Sequence, residues 1–201
     1  FSYDDGSAEL AYGINSVGAK GAYQFKLNRP DTLRAIKMYF PQMLDSVNNI
    51  EFILTVWNDN GGYPGDTLYT QRVYPVHSEN RDFHVYTIER PFRIIGTFYV
   101  GWEQITSDLL NIGLDKNLLA NQYMFYNVGS GWLNSQFPGS WMVRPVFSQS
   151  PLPSMLYDSK ITCSIFPNPV SSDLFIKLEH SSCELRIFNL QGLLVKKMYL
   201  N

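Results

Sequence analysis

Alternation with a period of two most limits what this chain can become. In Glu51-Phe52-Ile53-Leu54-Thr55-Val56-Trp57, the side chains of Phe52, Leu54 and Val56 share one face, and Glu51 and Thr55 the other. Residues 97–103 repeat the pattern, with Phe98, Val100 and Trp102 on one side and Gly101 and Glu103 opposite. Residues 141–147 make a third case, rich in aromatic and β-branched side chains. Further strands are expected over 9–14, 21–27, 33–40, 67–76, 83–89, 110–114 and 123–128. The intervals are punctuated by Asn58-Asp59-Asn60-Gly61-Gly62, Pro64-Gly65, Gly129-Ser130-Gly131 and Pro138-Gly139. Short strands with glycine and proline turns, and no alternating helices, predict an all-β, jelly-roll-like antiparallel sandwich. Helical signals are weak. Residues 42–49 suit a single turn, and the leucine spacing in 108–122 is interrupted by Gly113.

Composition narrows the function classes. Aromatic residues make up 15% of the 201 residues, which excludes a disordered chain. A formal net charge of −2, from 16 basic and 18 acidic residues, argues against binding nucleic acid or anionic membrane by phosphate neutralisation. No apolar run approaches the length of a spanning helix. The chain opens on Phe1 without a charged and then apolar leader, so we expect a processed or trimmed form.

The texture changes at Ser148. Ser148-Gln149-Ser150-Pro151-Leu152-Pro153-Ser154 reads as an extended linker. We therefore expect a β-sandwich module over 1–148, a linker over 149–160 and a second unit over 161–201. Of the 30 aromatic residues, 25 fall in the first module. Strands are expected in the second unit at 162–166, 174–178, 184–189 and 193–199. Its two cysteines, Cys163 and Cys183, are too few for a zinc site and do not form a Cys-x-x-Cys pair. In an oxidising compartment a disulfide between them would close a loop of about twenty residues, worth roughly 3 kcal/mol in the chain-entropy view. The alternative is two half-buried thiols on neighbouring strands.

In that second unit, Ile165-Phe166-Pro167-Asn168-Pro169-Val170 precedes Leu174-Phe175-Ile176, then Leu185-Arg186-Ile187-Phe188-Asn189-Leu190-Gln191-Gly192 and Leu194-Val195. Pro167 and Pro169 lack ladder donors and fix φ, so the strand ends in a corner at Asn168; Gly192 marks a later turn. This ordered set resembles the type-A C-terminal sorting domain of proteins exported by the type IX secretion system of Bacteroidota. The resemblance implies passage through the outer membrane, engagement of that machinery by the tail, and release or retention at the cell surface. It also implies a small immunoglobulin-like sandwich. The family continues beyond the fourth strand, whereas this chain stops at Asn201, so a partial tail domain is expected.

Three segments of the first module resemble a β-sandwich module often placed before such tails: Tyr3-Asp4-Asp5-Gly6-Ser7-Ala8-Glu9, the 56–65 hairpin, and Asn111-Ile112-Gly113-Leu114-Asp115. No activity follows from that likeness. Catalytic signatures for zinc peptidases, serine hydrolases, nucleotide or dinucleotide binding are missing. His77 and His84 flank a polar turn, and Asp4, Asp5, Glu9, Asp59, Glu103 and Asp115 are carboxylates with no pairing evident in sequence. We expect no cofactor other than a possible calcium ion. Calcium is the one metal with plausible hard ligands, at Asp4, Asp5 and Asp59, although Asn-Asp-Gly stretches also serve turns. Loop aromatics beside amides suit stacking on a sugar face, and Trp132, Asn134, Gln136 and Trp141 form the expected ligand-binding set. We expect a secreted or cell-surface, non-catalytic binding module for glycan or protein. The alternative is an accessory or structural β-sandwich domain of a larger secreted hydrolase.

Overall fold

The computed structural model describes residues 2–42, 49–78, 82–149, 163–166, 175–178, 183–188 and 194–200. The chain divides into two compact units, Phe1–Leu152 and Pro153–Asn201. The expected helical turn at 42–49 lies almost wholly outside the described residues. Among the described residues the fold is an all-β sandwich, with one 3-10 turn at Asn121–Tyr123 and no α-helix.

The first unit contains β1 (Leu10–Tyr12), β2 (Lys20–Met38), β3 (Phe52–Asn60), β4 (Tyr63–Val73), β5 (His84–Gln104), β6 (Ile112–Asp115), β7 (Met124–Asn127), β8 (Leu133–Asn134), β9 (Ser140–Trp141) and β10 (Val143–Phe147). One sheet runs β4-β3-β5-β2-β7-β8, with β10 paired to the second half of β2; a smaller sheet runs β1-β6-β9. All pairings are antiparallel.

Two long strands make the sandwich. Where the sequence suggests separate strands at 21–27 and 33–40, and at 83–89 and 97–103, β2 and β5 each run through. The breakers sit in bulges: register shifts fall between Leu27 and Asp31 and between Leu33 and Ala35. Pro30 and Pro91 therefore occupy stretches where no ladder donor is demanded, and Gly96 takes φ +77°. These irregularities let the sheet curl over itself. From Tyr86 to Gln104 a straight strand would span about 60 Å. Yet the Tyr86 ring packs edge-on against Phe52, the partner of Gln104, at 5.9 Å.

The core fills the curl. Phe25, Leu33, Ile36, Leu54, Val56, Phe98, Val100 and Trp102 are buried from the large sheet, and Ile112, Leu114 and Trp141 from the small one. Each large apolar side chain buried in this way contributes about 1.5–3 kcal/mol. The expected strand at 141–147 divides at Met142, where the chain passes from the small sheet to the large one. A triangle of backbone hydrogen bonds fixes the crossing. Tyr39 N–H donates to Met142, Met142 N–H to Gly113, and Gly113 N–H to Tyr39.

In the second unit, β11 (Cys163–Phe166) pairs with β12 (Phe175–Leu178), and β13 (Cys183–Phe188) with β14 (Leu194–Leu200).

Candidate ligand-binding surface and sorting tail

The same alternation that fills the core decides what faces outward. With Leu54, Val56, Val100 and Trp102 turned inward, Thr55, Trp57, Tyr99 and Gly101 must point the other way. Register sets Trp57 opposite Tyr99, Tyr99 opposite Gln24, and Ala22 between Gly101 and Phe125. Strands β3, β5, β2 and β7 thus gather Trp57, Tyr99, Ala22 and Phe125 into a second apolar cluster on the outer face. Its members are nevertheless buried, Tyr99 completely.

Two aromatic side chains cover them. Tyr63 lies edge-on to Phe125 at 5.7 Å, and Trp132 edge-on to Trp57 at 5.4 Å. Tyr63 is 50% exposed and Trp132 partly so. Tyr63 is positioned by the β3–β4 hairpin, a two-residue turn in which Gly61 and Gly62 both hold positive φ.

A polar chain edges the cluster. Gln24 Nε2 donates to the Tyr99 hydroxyl at 2.7 Å, and that hydroxyl donates to Asp59 Oδ1 at 2.9 Å. Asp59 also accepts the Gly62 N–H at 3.2 Å. Burial, with the Asp59 carboxylate beside it, holds the Tyr99 hydroxyl far above the ordinary tyrosine value, so it remains a donor.

The expected set of four separates in space. Trp132 belongs to this cluster. Asn134 pairs with Phe125 across β7–β8, and its Nδ2 donates to the carbonyls of Asn121, Gln122 and Met124 at 3.0–3.2 Å, holding the 3-10 turn. Gln136 lines an open groove with Tyr12, Tyr126, Val128 and Phe137. Trp141 is fully buried in the main core, with its ring 4.8 Å from that of Trp102. The site residues not anticipated are Trp57, Tyr99, Phe125 and Gln24. Their signal lies in the outward phase: an aromatic at Trp57 and another at Tyr99, both out of step with the core-facing series.

The acidic residues are engaged in structure. Asp4 is buried and takes Arg144 through both carboxylate oxygens, while the guanidinium lies 4.2 Å over the Phe83 ring. Asp5 N–H donates to Asp115, and Asn117 Nδ2 donates to Asp5 and Glu9. The 3–9 and 111–115 segments therefore meet. Glu103 pairs with Lys20 at 3.0 Å. Asp59 lies on the β3–β4 hairpin, apart in sequence from Asp4 and Asp5. Among the described residues no three or more His, Cys, Asp or Glu side chains converge as a metal site. His77 Nδ1 lies 3.0 Å from the Phe40 carbonyl oxygen, and His84 stacks edge-on against Tyr86.

In the tail, Cys163 and Cys183 open β11 and β13; their side chains, like Pro167, Asn168, Pro169 and Gly192, lie outside the described residues. The hairpins β11–β12 and β13–β14 bracket those corner and turn residues in sequence. The secretion system C-terminal sorting domain family matches residues 164–201. The tail is a type IX sorting domain. No curated protein and no solved structure matches the chain. A sorting domain marks a protein that is secreted or held on the outer membrane at the cell surface. Its partner is accordingly the type IX secretion machinery. Among the described residues no helix is long and apolar enough to cross a membrane.

Proposed function

We propose that the first unit is a non-catalytic glycan-binding module which the sorting domain delivers to the cell surface of a Bacteroidota host. One observation carries the reading: two partly exposed aromatic rings, Tyr63 and Trp132, are held over a buried aromatic floor on an open sheet face. Rings in fixed orientation suit the apolar face of a pyranose, because little side-chain entropy is left to lose on binding. Amide and carboxylate groups along the border suit its hydroxyls. Asp4, Asp5, Glu9, Glu103 and Asp115 are held in the loop contacts and ion pairs described above, which supports binding over catalysis by these acids, and the reading needs no metal.

A glycan array probed with the full 201-residue chain tests this. Wild type should retain a defined subset of glycans, and Trp132→Ala should lose them while keeping its thermal midpoint within a few degrees. Retention of the same glycans by Trp132→Ala would show that this surface is not the site.

A further inference from the structure

Granted the glycan-binding reading, on which this inference rests, the outer-face cluster also bears on the kind of sugar bound. Tyr63 and Trp132 touch different floor residues, Phe125 and Trp57, which are joined through Tyr99. From Tyr63 to Phe125 and from Phe125 to Tyr99 the ring centroids step by 5.7 and 5.5 Å. Trp57 and then Trp132 lie beyond. Phe125 lies on β7 and Trp57 on β3, with β5 and β2 between them, so the backbones of the two covered floor residues stand three strand spacings, ~14 Å, apart across the sheet. Between them, Asp59 offers a carboxylate fixed by the Tyr99 hydroxyl and the Gly62 amide. It is a hydrogen-bond acceptor held in place before any ligand arrives. Asp66 stands on the same hairpin, linked to Asn58 Nδ2 at 3.4 Å. Two carboxylates at the border, against Lys26 exposed on the same outward phase of β2 as Ala22 and Gln24, leave a net negative local field.

We infer that the ligand is a neutral oligosaccharide of at least two residues. One pyranose stacks on Tyr63 while neighbouring hydroxyls donate to the Asp59 carboxylate, and a second stacks on Trp132. A carboxylate accepting two hydroxyl donors makes charge-assisted bonds, stronger than those between neutral groups. The same charge turns away uronic acids and sulfated sugars. Asp59 acts here as a direct acceptor of sugar hydroxyls and not through a bridging cation.

Isothermal titration of the full chain tests the inference, using hexasaccharides of β-1,4-linked glucose, xylose and mannose, the glucose monosaccharide, and hexagalacturonate, each with and without EDTA. A neutral hexasaccharide should bind, its monosaccharide at least a hundredfold more weakly, and EDTA should change nothing. Asp59→Asn keeps an acceptor for the Gly62 amide and therefore the hairpin. It should weaken binding at least tenfold, as should Tyr63→Ala. If Trp132→Ala abolishes binding while Asp59→Asn leaves it unchanged, the surface is right and the assignment of Asp59 is wrong. Preference for hexagalacturonate, served by the exposed Lys26, or loss of binding in EDTA would overturn the inference as well. Absence of binding to every saccharide would sink the glycan-binding reading and this one together.

Discussion

Asp5 and Glu9 tie the N-terminal loop to the segment after β6 through side chains that stay at the surface. The Asp5 carboxyl is held below its ordinary value chiefly by the Ser7 hydroxyl, then by the Ser7 amide and Asn117. Glu9 is lowered chiefly by the Lys116 amide, then by the Ser7 hydroxyl. A carboxyl whose folded value is depressed binds fewer protons than in the unfolded chain. Its stabilisation is complete above the unfolded values, near 3.8 for Asp and 4.5 for Glu, and disappears as pH falls through the folded ones. The urea midpoint of the wild type should therefore fall more steeply between pH 5 and about 3 than that of a Glu9→Gln, Asp5→Asn double variant. Parallel curves would show that these bonds do not distinguish the folded from the unfolded state.

At the scale of elements, the most constrained point is the crossing where Tyr39, Gly113 and Met142 exchange backbone hydrogen bonds. A Cβ at Gly113 would lie 2.6 Å from Tyr39 Cδ1 and 2.7 Å from Met142 Sδ, atoms of the two residues that bond its backbone. Gly113→Ala should cost about 1–3 kcal/mol by overpacking, measurable as a lower urea midpoint. A midpoint equal to wild type would mean that both side chains move aside freely. That glycine also shows where sequence reading succeeds and stops. It argues correctly against a helix over 108–122, and period-two alternation correctly assigns the inward series Phe52, Leu54 and Val56. The continuity of β2 and β5 was hidden, because Pro30, Pro91 and Gly96 look like breaks until bulges are seen to absorb them. The proposed binding surface was half legible for a related reason. Trp132 is conspicuous in a loop, but Trp141, nine residues on, is told from it only by the sheet switch at Met142. Trp57 and Tyr99 needed the cross-strand register before their outward phase had meaning.

Across the whole molecule, fold and address occupy different stretches of chain. The first unit carries 25 of the 30 aromatic residues, its own core and the proposed ligand surface. The family match begins at residue 164, beyond that unit. The core residues of the first unit pack among strands of that unit, so export and folding should separate on deletion. Fused behind a signal peptide in a host with type IX machinery, the full chain should reach the medium or the cell surface. The chain lacking 164–201 should remain inside the outer membrane. Tryptophan near-ultraviolet circular dichroism should match between the two forms, since all four tryptophans lie in the first unit. Equal amounts of both forms outside the cell would show that the sorting domain does not direct export here. Loss of the tryptophan signal in the shortened form would show instead that the first unit depends on the tail for its fold.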